Sequence, residues 1–270
     1  MKSHPILGIA LGLLALAGPA RAAEAEDAGR AERWTELQHA VFGERALADG
    51  AGVIALEAPS RAMDAAIVPV AVTLTGAEHV KAVYLLIDGN PSPLAATVHF
   101  GPAADPRALR TRVRVEQYTL MHAVAETEDG RLFATERFVK AAGGCSAPAS
   151  KDQQAAAARI GQIKLKRDPA SPAAEGQPAT AQLLISHPNN NGMQMDQVTR
   201  NYIPARYIQN VTVDFGGERV FAMDADISLS EDPAITFGFV PHNAGPMTVA
   251  VRDSKGSLFQ QSFDFAAGRS

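Results

Sequence analysis

Hydrophobic and polar positions along the chain change texture once near the N-terminus and then stay β-like to the end. Trp34, Leu37 and Val41 recur at i, i+3 and i+7, which predicts a helix. Leu47 extends the same stripe and Gly50 is its expected stop. Residues 23–30 before it are small and acidic, and a frayed terminus is expected there. From Val53 onward, short alternating runs follow: Val53–Leu56, Ile67–Leu74, Val80–Ile87, Ala95–Phe100, Leu109–Glu116, Leu120–Glu126 and Leu132–Ala141. Turn residues separate them, among them Asp88-Gly89-Asn90-Pro91, Asp105-Pro106 and Asp129-Gly130. A similar series follows at Gln162–Lys166, Ala179–Ser186, Tyr207–Phe215, Arg219–Ile227, Ile235–Val240, Pro246–Arg252 and Leu258–Phe265. Short strands with a turn every few residues predict a mainly β protein of two immunoglobulin-like β-sandwich domains in tandem, with an N-terminal helix on the first. In Arg110–Val115 the arginines alternate with Val113 and Val115, as in a strand with one wet face; a docking surface for an acidic partner is the other reading.

The expected organisation is a signal peptide over 1–22, a first domain over 31–142, a flexible linker over 143–158 and a second domain over 159–268. Lys2, the apolar run Ile6–Ala17, the break at Gly18-Pro19 and the small residues of Ala20-Arg21-Ala22 carry the leader prediction. The run is too short for an ordinary membrane span, so a soluble exported protein of the periplasm is expected. Within the linker, Ser150 and Gln153 resemble a capping box ahead of Ala155–Ala158, which predicts a short turn of helix.

Composition narrows the chemistry. Apolar residues make up 46% of the 270 and aromatic residues only 6%, so the cores must be aliphatic. The formal charge of −4 comes from interspersed acids and bases, with neither the basic stripe nor the aromatic platforms that nucleic-acid binding requires. Gly-rich phosphate loops are absent, and Asp214-Phe215-Gly216-Gly217 is a strand end.

One cysteine remains, Cys145, within Lys140-Ala141-Ala142-Gly143-Gly144-Cys145-Ser146-Ala147-Pro148. An odd cysteine in an exported protein implies an intermolecular bond or a reactive thiol. No apolar periodicity surrounds it, so exposure is expected. No histidine lies beside it, and His79, His99, His122, His187 and His242 are scattered, so a local hydrolytic pair is not supported. A thiol behind Gly143 and Gly144 suits a covalent carrier arm that threads a narrow channel. His187, Met193 and Met195 form a weak copper signature; the plainer reading is a polar loop whose methionines cap the core.

These residues resemble a known family. Ile67-Val68-Pro69-Val70, Gly89-Asn90-Pro91-Ser92-Pro93, the Arg110–Val115 strand and the Gly143-Gly144-Cys145 ending look like SoxY. Ile185-Ser186-His187-Pro188, Gly192, Asp196 and Ile203-Pro204-Ala205 are similar to SoxZ. The chain thus resembles a SoxY–SoxZ fusion, in the form described as a quinoprotein dehydrogenase-associated SoxYZ-like carrier. The resemblance implies packed immunoglobulin-like sandwiches and a non-enzymatic role in which Cys145 carries sulfur intermediates between periplasmic enzymes of sulfur oxidation. It implies no cofactor beyond a covalent sulfur adduct on Cys145, and SoxY-like and SoxZ-like halves that associate within the chain. Partners would be sulfur-oxidation-type enzymes, or a quinoprotein dehydrogenase or its cytochrome; a binding module for the latter without cargo is the alternative. The chain departs from the family in continuing through Ser146-Ala147-Pro148 where a SoxY arm ends freely.

Overall fold

Helix α1 spans Pro19–Phe42 in the computed structural model, which describes residues 19–76, 79–148, 153–168 and 174–264. The expected leader lies outside the described residues up to position 18, and Ser150 of the expected capping box lies outside them too. Residues 23–30 are helical rather than frayed, as their alanines and glutamates favour. The helix stops before Leu47. Gly43 takes a φ of 65° and its N–H closes on the His39 carbonyl at 2.9 Å, a left-handed C-terminal cap. Leu47 therefore belongs to strand β1 (Leu47–Asp49) instead of the helical stripe. No helix among the described residues is long and apolar enough to cross a membrane.

Fourteen further strands follow among the described residues. In the first half these are β2 (Ile54–Glu57), β3 (Val68–Leu74), β4 (Val80–Ile87), β5 (Leu94–Phe100), β6 (Ala104–Val113), β7 (Thr119–Thr127) and β8 (Leu132–Val139). After α2 (Gln153–Arg159) come β9 (Ile163–Arg167), β10 (Ala179–Ile185), β11 (Ile208–Phe215), β12 (Glu218–Ala225), β13 (Ala234–Phe239), β14 (Pro246–Asp253) and β15 (Leu258–Asp264). Period-two alternation puts Val68, Val70, Val72 and Leu74 inward on β3 and Ala179, Ala181, Leu183 and Ile185 inward on β10.

The protein is mainly β, as expected, but the two sandwiches share their sheets. One sheet runs β1-β8-β7-β4-β5-β12-β11-β14-β15, the other β2-β3-β6-β13-β10-β9. The halves meet edge to edge twice, β5 against β12 and β6 against β13, both antiparallel. Each junction pairs strands that would otherwise be open edges. One hydrophobic cluster, mostly aliphatic with four phenylalanines, runs through both halves and includes Val83, Val98, Met223, Ile235 and Phe237.

Asp105-Pro106, expected as a turn, lies within β6. The ladder to β13 slips there, since Phe237 pairs with Leu109 whereas Gly238 pairs with Asp105. Proline is tolerated in the bulge because no ladder donor is required of it. Gly238 fits for a related reason: a Cβ there would sit 2.5 Å from the Asp105 carbonyl oxygen.

Trp34 anchors α1. Its ring lies 3.5 Å from that of buried His122, nearly parallel, beside Phe42, Leu86, Val124 and Leu132. His122 Nε2 in turn meets Asp88 Oδ2 at 3.0 Å. Trp34→Ala is expected to lower stability by about 2 kcal/mol, read as an earlier urea midpoint by circular dichroism. An unchanged midpoint would show that the helix adds nothing to the fold.

Candidate functional site

The end of β6 builds the floor of the site. After Val113 the chain leaves the sheet, and Arg114, which alternation would place in water, is only 2% exposed. Its N–H donates to the Ser228 carbonyl at 2.8 Å. Buried Asn90, from the Gly89–Pro93 turn, fixes both ends of this step. Its Nδ2 donates to the Arg114 carbonyl at 2.7 Å and to Ser228 Oγ at 2.9 Å, and its Oδ1 accepts from the Glu116 N–H at 2.9 Å. One side chain thus ties the two halves together just where the cysteine segment arrives.

Residues Gly143–Ser146 lie down on this floor. Gly143 N–H donates to the Glu116 carbonyl at 2.8 Å and Gly144 N–H to the Val115 carbonyl at 2.9 Å. The Glu116 carboxylate accepts from Cys145 N–H at 2.8 Å and from Ser146 N–H at 3.3 Å. From the second half, Asn191 Nδ2 donates to the Cys145 carbonyl at 2.6 Å. Gly143 adopts a φ of 78°, and a Cβ on Gly144 would overlap the Ala65 carbonyl and come within 2.7 Å of the Val115 oxygen. The glycines therefore permit a tight turn and a close backbone approach here.

Expected to be exposed on a flexible arm, Cys145 is fully buried. The reason is long-range: Glu116 and Asn191 satisfy its backbone from 29 and 46 residues away, so a segment with no apolar periodicity is still covered. Burial, and then the Glu116 charge, push the thiol pKa up from 9.0 to about 12, against a smaller opposing pull from Arg114. The docked thiol is protonated and a poor nucleophile.

Arg114 is the second unusual group. Burial pushes its guanidinium down from its ordinary pKa, opposed by the charges of Glu231 and Asp64. It reaches the Gly144 carbonyl at 3.4 Å and the Asn189 carbonyl at 3.5 Å, while its Nε has no hydrogen-bond partner. Contacts of that length only weakly offset the desolvation of a cation.

The Asn189–Asn191 loop is a buried scaffold. Asn189, at a φ of 43°, donates to the Ser230 carbonyl and accepts from the Ile208 N–H. Asn191 N–H donates to Gln194 Oε1 at 3.2 Å, and Gln194 is fully buried. The methionines do not cap the core as expected; Met193 is half-buried, Met195 is 38% exposed, and neither joins the hydrophobic clusters. His187 points elsewhere. Its Nδ1 accepts from the Asn189 N–H at 3.1 Å, and its Nε2 faces Asp253 Oδ2 at 3.6 Å. Burial lowers its pKa, so the ring is neutral near pH 7 and this contact is no ion pair. Among the described residues no three His, Cys, Asp or Glu groups come together around a metal-sized site, and buried His187 does not share a surface site with Met195.

Large apolar side chains stand exposed on the same segments that hold the loop. Met63 and Ile67 flank Ala65, Tyr118 follows Glu116, and Met195 and Tyr202 lie beyond Asn191. Sequence reasoning missed Arg114, Glu116 and Asn191 as parts of the site, and no local motif marks them.

Comparison with known proteins gives two family matches in tandem. Residues 38–145 match the family described as sulfur oxidation protein SoxY, and residues 166–264 match sulphur oxidation protein SoxZ. Among solved structures, the chain is similar to the sulfur carrier protein SoxY from Chlorobium limicola f thiosulfatophilum. That match has 25% identity over 44% of this chain and 99% of the other, with a TM-score of 0.38. A glycosyl hydrolase family 2 member from Bacteroides cellulosilyticus also aligns, at 12% identity and a TM-score of 0.23, over 74% of this chain and 24% of that one. No curated protein matches.

Proposed function

We propose, for a chain that carries a SoxY and a SoxZ domain in tandem and so belongs to the sulfur-oxidation carrier family, that Cys145 is the covalent attachment point for a sulfur-containing cargo. The observation that carries the reading is positional: the SoxY match ends at residue 145, the chain's one cysteine, and that residue sits in a loop built from both halves. The docked loop is the resting state, in which a protonated, covered thiol is spared oxidation. Release of the hydrogen bonds to Glu116 and Asn191 exposes it to a partner. The apolar side chains around the loop offer that partner a surface to approach.

Under this reading the protein performs no catalysis of its own and works in the periplasm, handing its cargo to redox enzymes there. Enzymes of sulfur oxidation are the first candidates, a quinoprotein dehydrogenase system the second. Intact-mass spectrometry of protein isolated from the native periplasm, before and after reductant, tests it. Sulfur-sized mass additions that reductant removes, and that vanish in Cys145→Ser, are the expected result. An unmodified thiol while the partner pathway is active would sink the proposal.

A further inference from the structure

The outer face of the six-stranded sheet carries a groove of about 600 Å3 that both halves line and to which no residue of the cysteine loop contributes. Strand register arranges its floor as one transverse row. Glu57 pairs with Ala71, Ala71 with Arg110, Arg110 with Thr236 and Thr236 with Gln182. Glu57 and Arg110 project outward, since Leu56 and Leu109 beside them face the core. Among the described residues neither charged side chain has a hydrogen bond or an ion pair, and the small side chain of Ala71 lies between them. Two opposite charges thus face one gap in a groove and do not reach each other.

We propose that this groove binds a small zwitterion of the amino acid type, its ammonium group at Glu57 and its acid group at Arg110. Neighbouring strands lie ~4.8 Å apart, so the two charged residues are separated by roughly 9.6 Å at the backbone. Their side chains are long and flexible enough to close on a small ligand that carries both charges, as an amino acid does. At the acid end, Gln182 Nε2 donates to Thr236 Oγ at 3.3 Å, which leaves the Thr236 hydroxyl proton free to donate to the ligand. Arg112 lies at the same end, held by its bond to the Asp232 carbonyl at 2.7 Å, and adds positive field. Ala58, Pro59 and Pro69 form an apolar wall for the ligand's side chain. The volume lies within the range of small-molecule sites, and a bare anion is disfavoured because Glu57 would repel it.

Isothermal titration of the full chain with L-leucine at low salt tests the proposal, with isocaproate as the acid-only and isoamylamine as the amine-only analogue. Saturable binding of leucine at one site is expected, with each single-charge analogue weaker by about tenfold or more. Arg110→Gln and Glu57→Gln, both at exposed positions, should each weaken leucine by a similar factor. Glu57→Gln should leave isocaproate unweakened. No saturable leucine binding, isocaproate as tight as leucine, or either variant binding leucine like the parent would each overturn it. None of these outcomes bears on Cys145.

Discussion

Iodoacetamide at pH 8 is expected to alkylate Cys145 in the folded protein about a thousandfold more slowly than an exposed cysteine, as followed by intact mass. The thiolate is the reactive form, and raising the pKa from 9.0 to about 12 cuts its fraction at pH 8 from roughly a tenth to roughly one part in ten thousand. The pH profile gives a second test. Whether the thiolate forms in the docked loop or after a rare release, the rate should climb about tenfold per pH unit through pH 9 with no plateau below pH 11, whereas an exposed thiol would level off near pH 9. The sign of the linked equilibrium is fixed as well. The docked state holds its proton more tightly than the released one, so docking is fully stable below pH 9 and weakens as pH rises from 9 toward 12. A rate equal to that of an exposed thiol at pH 8 would refute the docked geometry.

The contrast between what was legible in the sequence and what was not follows from range. Alternation along β3 and β10 and the turn residues between strands are local, so nearly every strand was predicted within a residue or two. Leu47 misled because one apolar residue at helical spacing weighs the same whether Gly43 has already capped the helix or not. Asp105-Pro106 misled because a bulge needs the partner strand to be seen. The shared sheets were out of reach, since the edges of β5 and β6 carry nothing that names β12 and β13 as partners. Cys145 was found because a single cysteine behind two glycines is conspicuous. Its burial was not, because a backbone satisfied by Glu116 and Asn191 leaves no trace near position 145. Arg114 looked like one more outward residue of an alternating strand until the strand was seen to end at Val113.

Gly144→Ala is expected to expel the cysteine loop and speed alkylation of Cys145 by about ten- to a hundredfold over the parent. The added Cβ meets two backbone carbonyls, those of Ala65 and Val115, and neither can rotate away as a side-chain tip could. Overpacking against fixed atoms costs about 1–3 kcal/mol, which goes directly into the docked–released balance because the loop, unlike the core, has somewhere else to go. The urea midpoint should therefore move little. Gly143→Ala provides the contrast. There the Cβ would find only Ser146 Oγ at 3.9 Å, so the penalty is the left-handed φ alone, about 1–2 kcal/mol, and the acceleration should be smaller. Asn191→Ala removes a bond that water can replace once the loop lifts, and should fall below Gly144→Ala for that reason. If all three variants and the parent were alkylated at the same rate, the glycines would not be holding Cys145 down, and the resting state proposed for the carrier would lose its physical basis.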